Sequence, residues 1–277
     1  MTILLTTLKN VNFGSGLHLD QVNAQGFSLT RRKDLFYFTE GVGSSVSNQI
    51  PSAPPGPIAV GDAPGTFTWL SGGGIELTKT ANVLGQLEDI GGIWAITCTM
   101  CVLDPTLGAA GSGTNFVGMM GWETYPTRGI SLYSAITSPY TPGAGSGLFI
   151  LRSSQNGANG DAAHTFLNYD SQAVKIGQRY LYVMQHDGTG NIMSAFYQKD
   201  GIIRGSIAGK VNENDFIFSV PNQRPSVGFK TNLFPHGKIQ VEHFGVFQNR
   251  PLTIEDIKQE CKAANALATA RGRPLSS

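Results

Sequence analysis

Residues 180–205 read Tyr-Leu-Tyr-Val-Met-Gln-His-Asp-Gly-Thr-Gly-Asn-Ile-Met-Ser-Ala-Phe-Tyr-Gln-Lys-Asp-Gly-Ile-Ile-Arg-Gly, and this stretch decides the fold. Tyr180–Gln185 is apolar on both alternating faces, the pattern of a strand covered on both sides. Gly188 and Gly190 supply the positive φ that a reversal needs. Ile192–Lys199 reads as a second strand and Ile202–Arg204 opens a third. Asp200-Gly201 between them favours a two-residue type I′ turn. Three such strands cannot bury their own apolar faces, so a second sheet must cover them.

Composition agrees. The chain has 277 residues, enough for one large β domain or two small ones. Charged residues are 14% and glycine is 35 of 277, against usual values of about 25% and about 7%. That balance suits a turn-rich β protein and excludes a helical bundle or a disordered tail. Lys plus Arg is 20 and Asp plus Glu is 19, for a net charge of +1. No basic surplus points to nucleic acid or to an anionic membrane, and no run of about 18 apolar residues spans a bilayer. The segment Met1–Asn10 has no basic residue ahead of its short apolar run, so a secretion signal is not expected. The three cysteines, Cys98, Cys101 and Cys261, are an odd number and argue against a disulfide framework. Cys98 and Cys101 lie three apart within an apparent strand, hence on opposite faces, and read as buried thiols, not as a chelating or redox pair.

Outward from the central stretch, short apolar runs alternate with glycine- and proline-rich turns. Ile93–Leu103 is the most apolar and reads as a central strand. Thr66–Leu70, Gly74–Thr78, Phe116–Trp122, Ile130–Ala135, Leu148–Ser153, Thr165–Tyr169, Phe216–Ser219, Ser226–Phe229 and Lys238–Phe247 read as further strands, the pattern of a sandwich or jelly roll. Gly41–Gly65 carries five prolines and reads as a long connection, either functional or partner-wrapping or an ordered surface meander held stiff by its prolines. Residues 1–33 read as an N-terminal arm or extra strands, with Arg31-Arg32-Lys33 as a solvated edge. One helix is expected over 253–271, capped by Thr253, with Ile254, Ile257, Cys261 and Ala264 on one face and Gly272 and Pro274 past its end.

The central stretch resembles the concanavalin A-like lectin/glucanase superfamily in its laminin-G-like branch, with Tyr197, Asp200 and Gly201 at the positions of its Tyr-x-x-Asp/Asn-Gly hairpin. Residues 237–257, Gly-Lys-Ile-Gln-Val-Glu-His-Phe-Gly-Val-Phe-Gln-Asn-Arg-Pro-Leu-Thr-Ile-Glu-Asp-Ile, resemble the family's closing strand. Leu35-Phe-Tyr-Phe-Thr-Glu-Gly41 is similar to its opening strand. The resemblance implies an all-β, concanavalin A-like antiparallel jelly-roll sandwich over 34–277 with a C-terminal helix. It fixes a fold better than a function. Hydrolases of the superfamily carry Glu-x-Asp-x-(x)-Glu on one strand, because glycoside hydrolysis needs two facing carboxylates. This chain has no such run, so no enzyme activity is expected. Calcium, the usual metal of these relatives, wants six or more oxygens. Asp187 with Asn191 offers few, and a side-chain-stabilised turn accounts for both residues. No metal or cofactor is expected.

Trp122, Glu123, Tyr125, Arg128 and Tyr140 gather around glycine- and proline-rich turns and are the candidate ligand-binding residues, aromatic rings beside polar groups. Of the five histidines none has ligand spacing with another His or Cys. His243 follows Ile239 and Val241 at period two and reads as a hydrogen-bonded core histidine on their face. The functional expectation is a non-catalytic lectin-like binding or assembly module. Resemblance, absent signal and absent disulfides together suggest a bacteriophage virion component, folded in the host cytoplasm, in a tail, baseplate, fibre or capsid decoration. Its partners would be copies of itself or other virion proteins, with glycan as a further ligand. Two alternatives stand beside it: a diverged glycan hydrolase or lyase with carboxylates from separate strands, and a soluble glycan-binding protein.

Overall fold

The computed structural model describes residues 25–60, 66–78, 81–86, 92–104, 114–124, 128–137, 148–154, 164–168, 177–189, 191–210, 224–228 and 238–277. In chain order the strands are β1 (Arg32–Phe36), β2 (Ser45–Val46), β3 (Gly56–Val60), β4 (Thr66–Trp69), β5 (Ile75–Thr78), β6 (Ala81–Leu84), β7 (Ile93–Asp104) and β8 (Thr114–Thr124). They continue as β9 (Arg128–Thr137), β10 (Leu148–Ser154), β11 (His164–Asn168), β12 (Arg179–Asp187), β13 (Asn191–Tyr197), β14 (Ile203–Lys210), β15 (Pro225–Gly228) and β16 (Lys238–Gln248). Helix α1 (Ile254–Ala270) follows. One sheet runs β14-β13-β12-β7-β16-β5-β4 with β1 also on β16; the other runs β11-β10-β9-β8-β15-β6-β3-β2. All pairings among the described strands are antiparallel. The protein is an all-β antiparallel sandwich with a C-terminal helix.

Alternation explains how the first sheet is covered on both sides. Tyr180, Tyr182 and Met184 of β12 point between the sheets, where they meet Ile96, Cys98 and Met100 of β7 and Val83, Met120 and Val227 of the second sheet. Leu181 and Val183 point the other way, against Ile257, Cys261 and Ala264 of α1. Each such fully buried apolar side chain stabilises the fold by about 1.5–3 kcal/mol. The helix is closed at both ends. Thr253 and Asp256 form a reciprocal capping box. At the other end Gly272 sits at φ 73, Arg273 N–H donates to Ala268 O at 2.9 Å and Gly272 N–H to Thr269 O at 2.9 Å, a Schellman stop.

Several expectations are corrected. The hairpin at Asp200-Gly201 is a three-residue loop. Gly201 N–H donates to Gln198 O, Gln198 N–H donates to Ile202 O, and only Gly201 takes positive φ; this is a type I turn with a left-handed glycine, not type I′. Strand β1 begins at Arg32, so the boundary at residue 33/34 cuts a strand. Phe27 is fully buried beneath the helix, and 25–33 is therefore part of the sandwich. Arg32 is no solvated edge: its side chain is buried, pairs with Glu260 at 2.5 Å and lies over the rings of Phe27 and Phe247. The 41–65 connection contains β2 and β3, which extend the second sheet. Ile254 is 49% exposed, because the inward stripe of α1 starts one turn later at Ile257. The strand expected at Phe216–Ser219 lies outside the described residues.

Candidate functional site

An open cleft of ≈ 580 Å³ lies where β1 of the first sheet meets the β2–β3 edge of the second. Asp34 and Phe36 of β1 form its floor, Ser45 of β2 and the run Pro54-Pro55-Gly56-Pro57 one wall, and Gly85, Gln86 and Arg224 the other. Phe36 is in the core between the sheets, so the cleft opens directly above packed apolar side chains. Two glycines let its walls close in. A Cβ on Gly56 would stand 2.8 Å from the Phe36 ring and 2.9 Å from Leu84 O. A Cβ on Gly85 would stand 2.7 Å from both Asp34 Oδ2 and Pro225 Cγ. The prolines stiffen the opposite wall and present no N–H.

Asp34 is fully buried. Its Oδ1 accepts from Asn48 Nδ2 at 2.6 Å and Gln86 Nε2 at 3.0 Å, and its Oδ2 from Gln86 N–H at 2.9 Å. Asn48 Oδ1 in turn accepts from Leu35 and Ile50 N–H, both at 3.1 Å. The carboxylate thus ties the β1 floor to both walls. It is the only Asp or Glu among the described lining residues, so that described lining holds no carboxylate pair of the kind glycoside hydrolysis uses. A second depression of ≈ 520 Å³ lies between Thr39–Gly41 and the β4–β5 turn, beside Trp69. The Trp69 ring N–H there donates to Gly43 O at 3.2 Å.

Two charged networks sit between the first sheet and α1, away from the cleft. A bulge in β16 creates them. Val241 faces Met100 and His243 faces the next residue, Thr99, so Glu242 and His243 together take the place of one residue. Ile239 and Val241 point between the sheets, as do Phe244 and Val246. Glu242 and His243 therefore both turn to the helix side. His243 is buried and hydrogen-bonded as expected, but on the opposite face from Ile239 and Val241. Its Nδ1 lies 2.6 Å from Thr99 Oγ1 and its Nε2 3.3 Å from Glu260 Oε1. Burial holds the imidazole pKa below its ordinary value, against the opposing pull of Glu260. Burial alone would raise Glu260; Arg32 and His243 outweigh it and hold the carboxyl at about 2. Thr99, His243 and Glu260 make a hydroxyl–imidazole–carboxylate chain, yet all three are buried with no access for a substrate. Glu242 binds Arg271 at 3.0 Å, Arg273 at 2.6 Å and Arg179 at 3.4 Å.

Asp187 is part of a turn. Its Oδ1 accepts from Thr189 N–H, Thr189 Oγ1 and Asn191 N–H, and its Oδ2 from Asn191 Nδ2 at 2.6 Å. These four bonds hold its carboxyl well below the usual range although it is exposed. Among the described residues no three His, Cys, Asp or Glu side chains gather as a metal site. Cys98 and Cys101 are free and buried on opposite faces of β7, and Cys261 is free and buried in α1.

Trp122 and Glu123 lie near the end of β8, and Arg128 opens β9, with Thr124 paired to Arg128 and Glu123 to Gly129. The hairpin thus brings these three backbones together; their side chains, and Tyr125 and Tyr140 entirely, lie outside the described residues. Trp122 also pairs with Pro225, the residue after Arg224, which sets this end of the hairpin beside the cleft. Sequence reasoning did not single out Asp34, Phe36, Ser45, Gln86 or Arg224. The signal available for the cleft was the proline run within 41–65.

No protein-family model and no curated protein matches the chain. Solved structures do. The binding domain of botulinum neurotoxin serotype D superposes with a TM-score of 0.54 at 10% identity, over 84% of this chain and 51% of that one. The binding domain of botulinum neurotoxin DC in complex with SialylT gives 0.54 at 11% identity, over 84% and 52%. The receptor-binding domain of the C/D mosaic serotype gives 0.54 at 7%, over 84% and 51%. At these identities the likeness is one of fold. The chain spans about half the length of these structures.

Proposed function

We propose that this chain is a non-catalytic, lectin-like binding module on a concanavalin A-like sandwich, and that it takes glycan in the cleft between β1 and the β2–β3 edge. The observation that carries the reading is the cleft itself: open, stiff-walled, and with the one carboxylate of its described lining already held by three amide N–H donors. Such a carboxylate anchors structure and is poorly placed to act as acid or base. An exposed proline wall beside polar rim groups suits a sugar ring. The fold shared with toxin binding domains supports the same class of role, and so does the resemblance to a lectin superfamily. We place the module in a bacteriophage virion, assembled with copies of itself or with other virion proteins. Three unpaired buried thiols support a chain that folds in a reducing compartment.

The test is a glycan microarray probed with the purified protein, followed by titration of any hit. A variant with Ser45→Trp, an exposed position on the cleft wall, should abolish binding while the melting temperature stays unchanged. Binding that survives S45W removes the cleft from the proposal, and an array without any hit removes the glycan. Capsid or tail genes beside its own would support the virion placement, and metabolic genes there would end it.

A further inference from the structure

From the cation on the cleft wall that no described residue engages, we infer that the saccharide taken there is acidic, bearing a carboxylate that Arg224 grips. This rests on the glycan reading of the same cleft and narrows it to a chemical class. Arg224 precedes β15, is half-buried, and lines the cleft opposite the prolines. Among the described residues no hydrogen bond or ion pair engages its guanidinium. The other buried or half-buried arginines of the first sheet and α1 are all committed: Arg32 to Glu260, Arg179, Arg271 and Arg273 to Glu242, Arg250 to Asp256. Among the described residues Arg224 therefore stands apart as a cation without an internal anion.

The neighbouring carboxylate does not fill that role. Asp34 is no ion-pair partner of Arg224, and its oxygens accept from Asn48 and Gln86. Lys33 lies close enough to Asp34 for their charges to interact, which offsets the negative charge of the floor. Among the described lining residues Arg224 is the one cation, and it carries a planar fork of donors. That fork matches a carboxylate in bidentate geometry and is far less suited to a neutral hydroxyl. The prolines supply the apolar surface for the ring that carries the carboxylate.

The experiment pairs each sialylated or uronate-containing oligosaccharide with its neutral parent and titrates both against the intact chain. The acidic member should bind at least about tenfold more tightly, a preference that shrinks as salt is raised. Arg224→Gln should erase the preference while leaving the melting temperature in place, because no described residue bonds to that guanidinium. Arg224→Lys should keep a part of it, as a point charge without the fork. Equal binding of acidic and neutral members, lost on S45W, overturns the inference and leaves the glycan reading standing. An acidic preference untouched by R224Q also overturns it. Absence of binding to every saccharide overturns both.

Discussion

At the residue scale the protein's charges are arranged around two buried glutamates. Glu242 is fully buried among three arginines, and Arg271 and Arg273 reach it because the Schellman stop turns the chain back across the sheet. Glu242→Gln keeps the shape and removes the charge, leaving three guanidiniums around an amide. Losing one partner of a buried pair costs about 3–5 kcal/mol, so urea unfolding of E242Q should show a loss in that range. Glu260 gives a pH signature. Its folded pKa of about 2 lies below the ordinary 4.5, so its contribution is complete above about pH 5 and fades as pH falls toward 2. His243, also depressed, adds to the same trend, losing its contribution as pH falls below its ordinary 6.5. Stability measured against pH should therefore fall on acidification, and Glu260→Gln should flatten the part below about pH 5. Gly245 makes room for Arg32: a Cβ there would stand 2.3 Å from Arg32 Nη1. Gly245→Ala should displace that guanidinium and lower the melting temperature, more than Gly272→Ala, which meets no neighbour and carries only the strain of its φ of 73.

At the element scale the N-terminal boundary matters most. Deleting residues 1–33 removes Phe27 from beneath the helix and Arg32 from Glu260. The truncated chain should lose cooperative unfolding in a thermal melt, where an independent arm would have left it intact. Thr253→Ala removes the capping box and should destabilise by about 1 kcal/mol in denaturant titration. Strands with long apolar runs were legible: β7, β12 and β13 match their expected positions, because each is buried on both faces. Strands β2, β3 and β6 were not. Ser45–Val46 is too short for any period, and Gly56-Pro57 heads β3 with two residues that signal a turn. The central hairpin was found, but its loop type was decided by one residue's φ, which Asp-Gly alone leaves open. The cleft was half legible. Its proline wall is contiguous in sequence, whereas Asp34, Gln86 and Arg224 come from three distant segments joined only by strand order. The face of His243 was read wrongly because a bulge carries no compositional mark.

At the scale of the whole molecule, burial predicts unreactive cysteines. Loss of solvation pushes Cys101 up to about 11, against the pull of Arg179, and Cys261 up to about 12. Ellman's reagent should find almost no thiol in the native protein and three in denaturant; fewer than three would mean a disulfide. A panel of polysaccharides incubated with the protein should yield no reducing ends above blank. Release abolished by an Asp→Asn or Glu→Gln change would reassign the sandwich to catalysis. The β16 bulge has an evolutionary corollary. Striking His243 from the sequence leaves Ile239, Val241, Phe244 and Val246 at strict period two, all still facing the interior. The extra letter is thus silent on the inner side of the strand and audible only on the outer side. The chain can gain or lose it without rewriting the core, and with it goes the link from β16 to Glu260 of the helix.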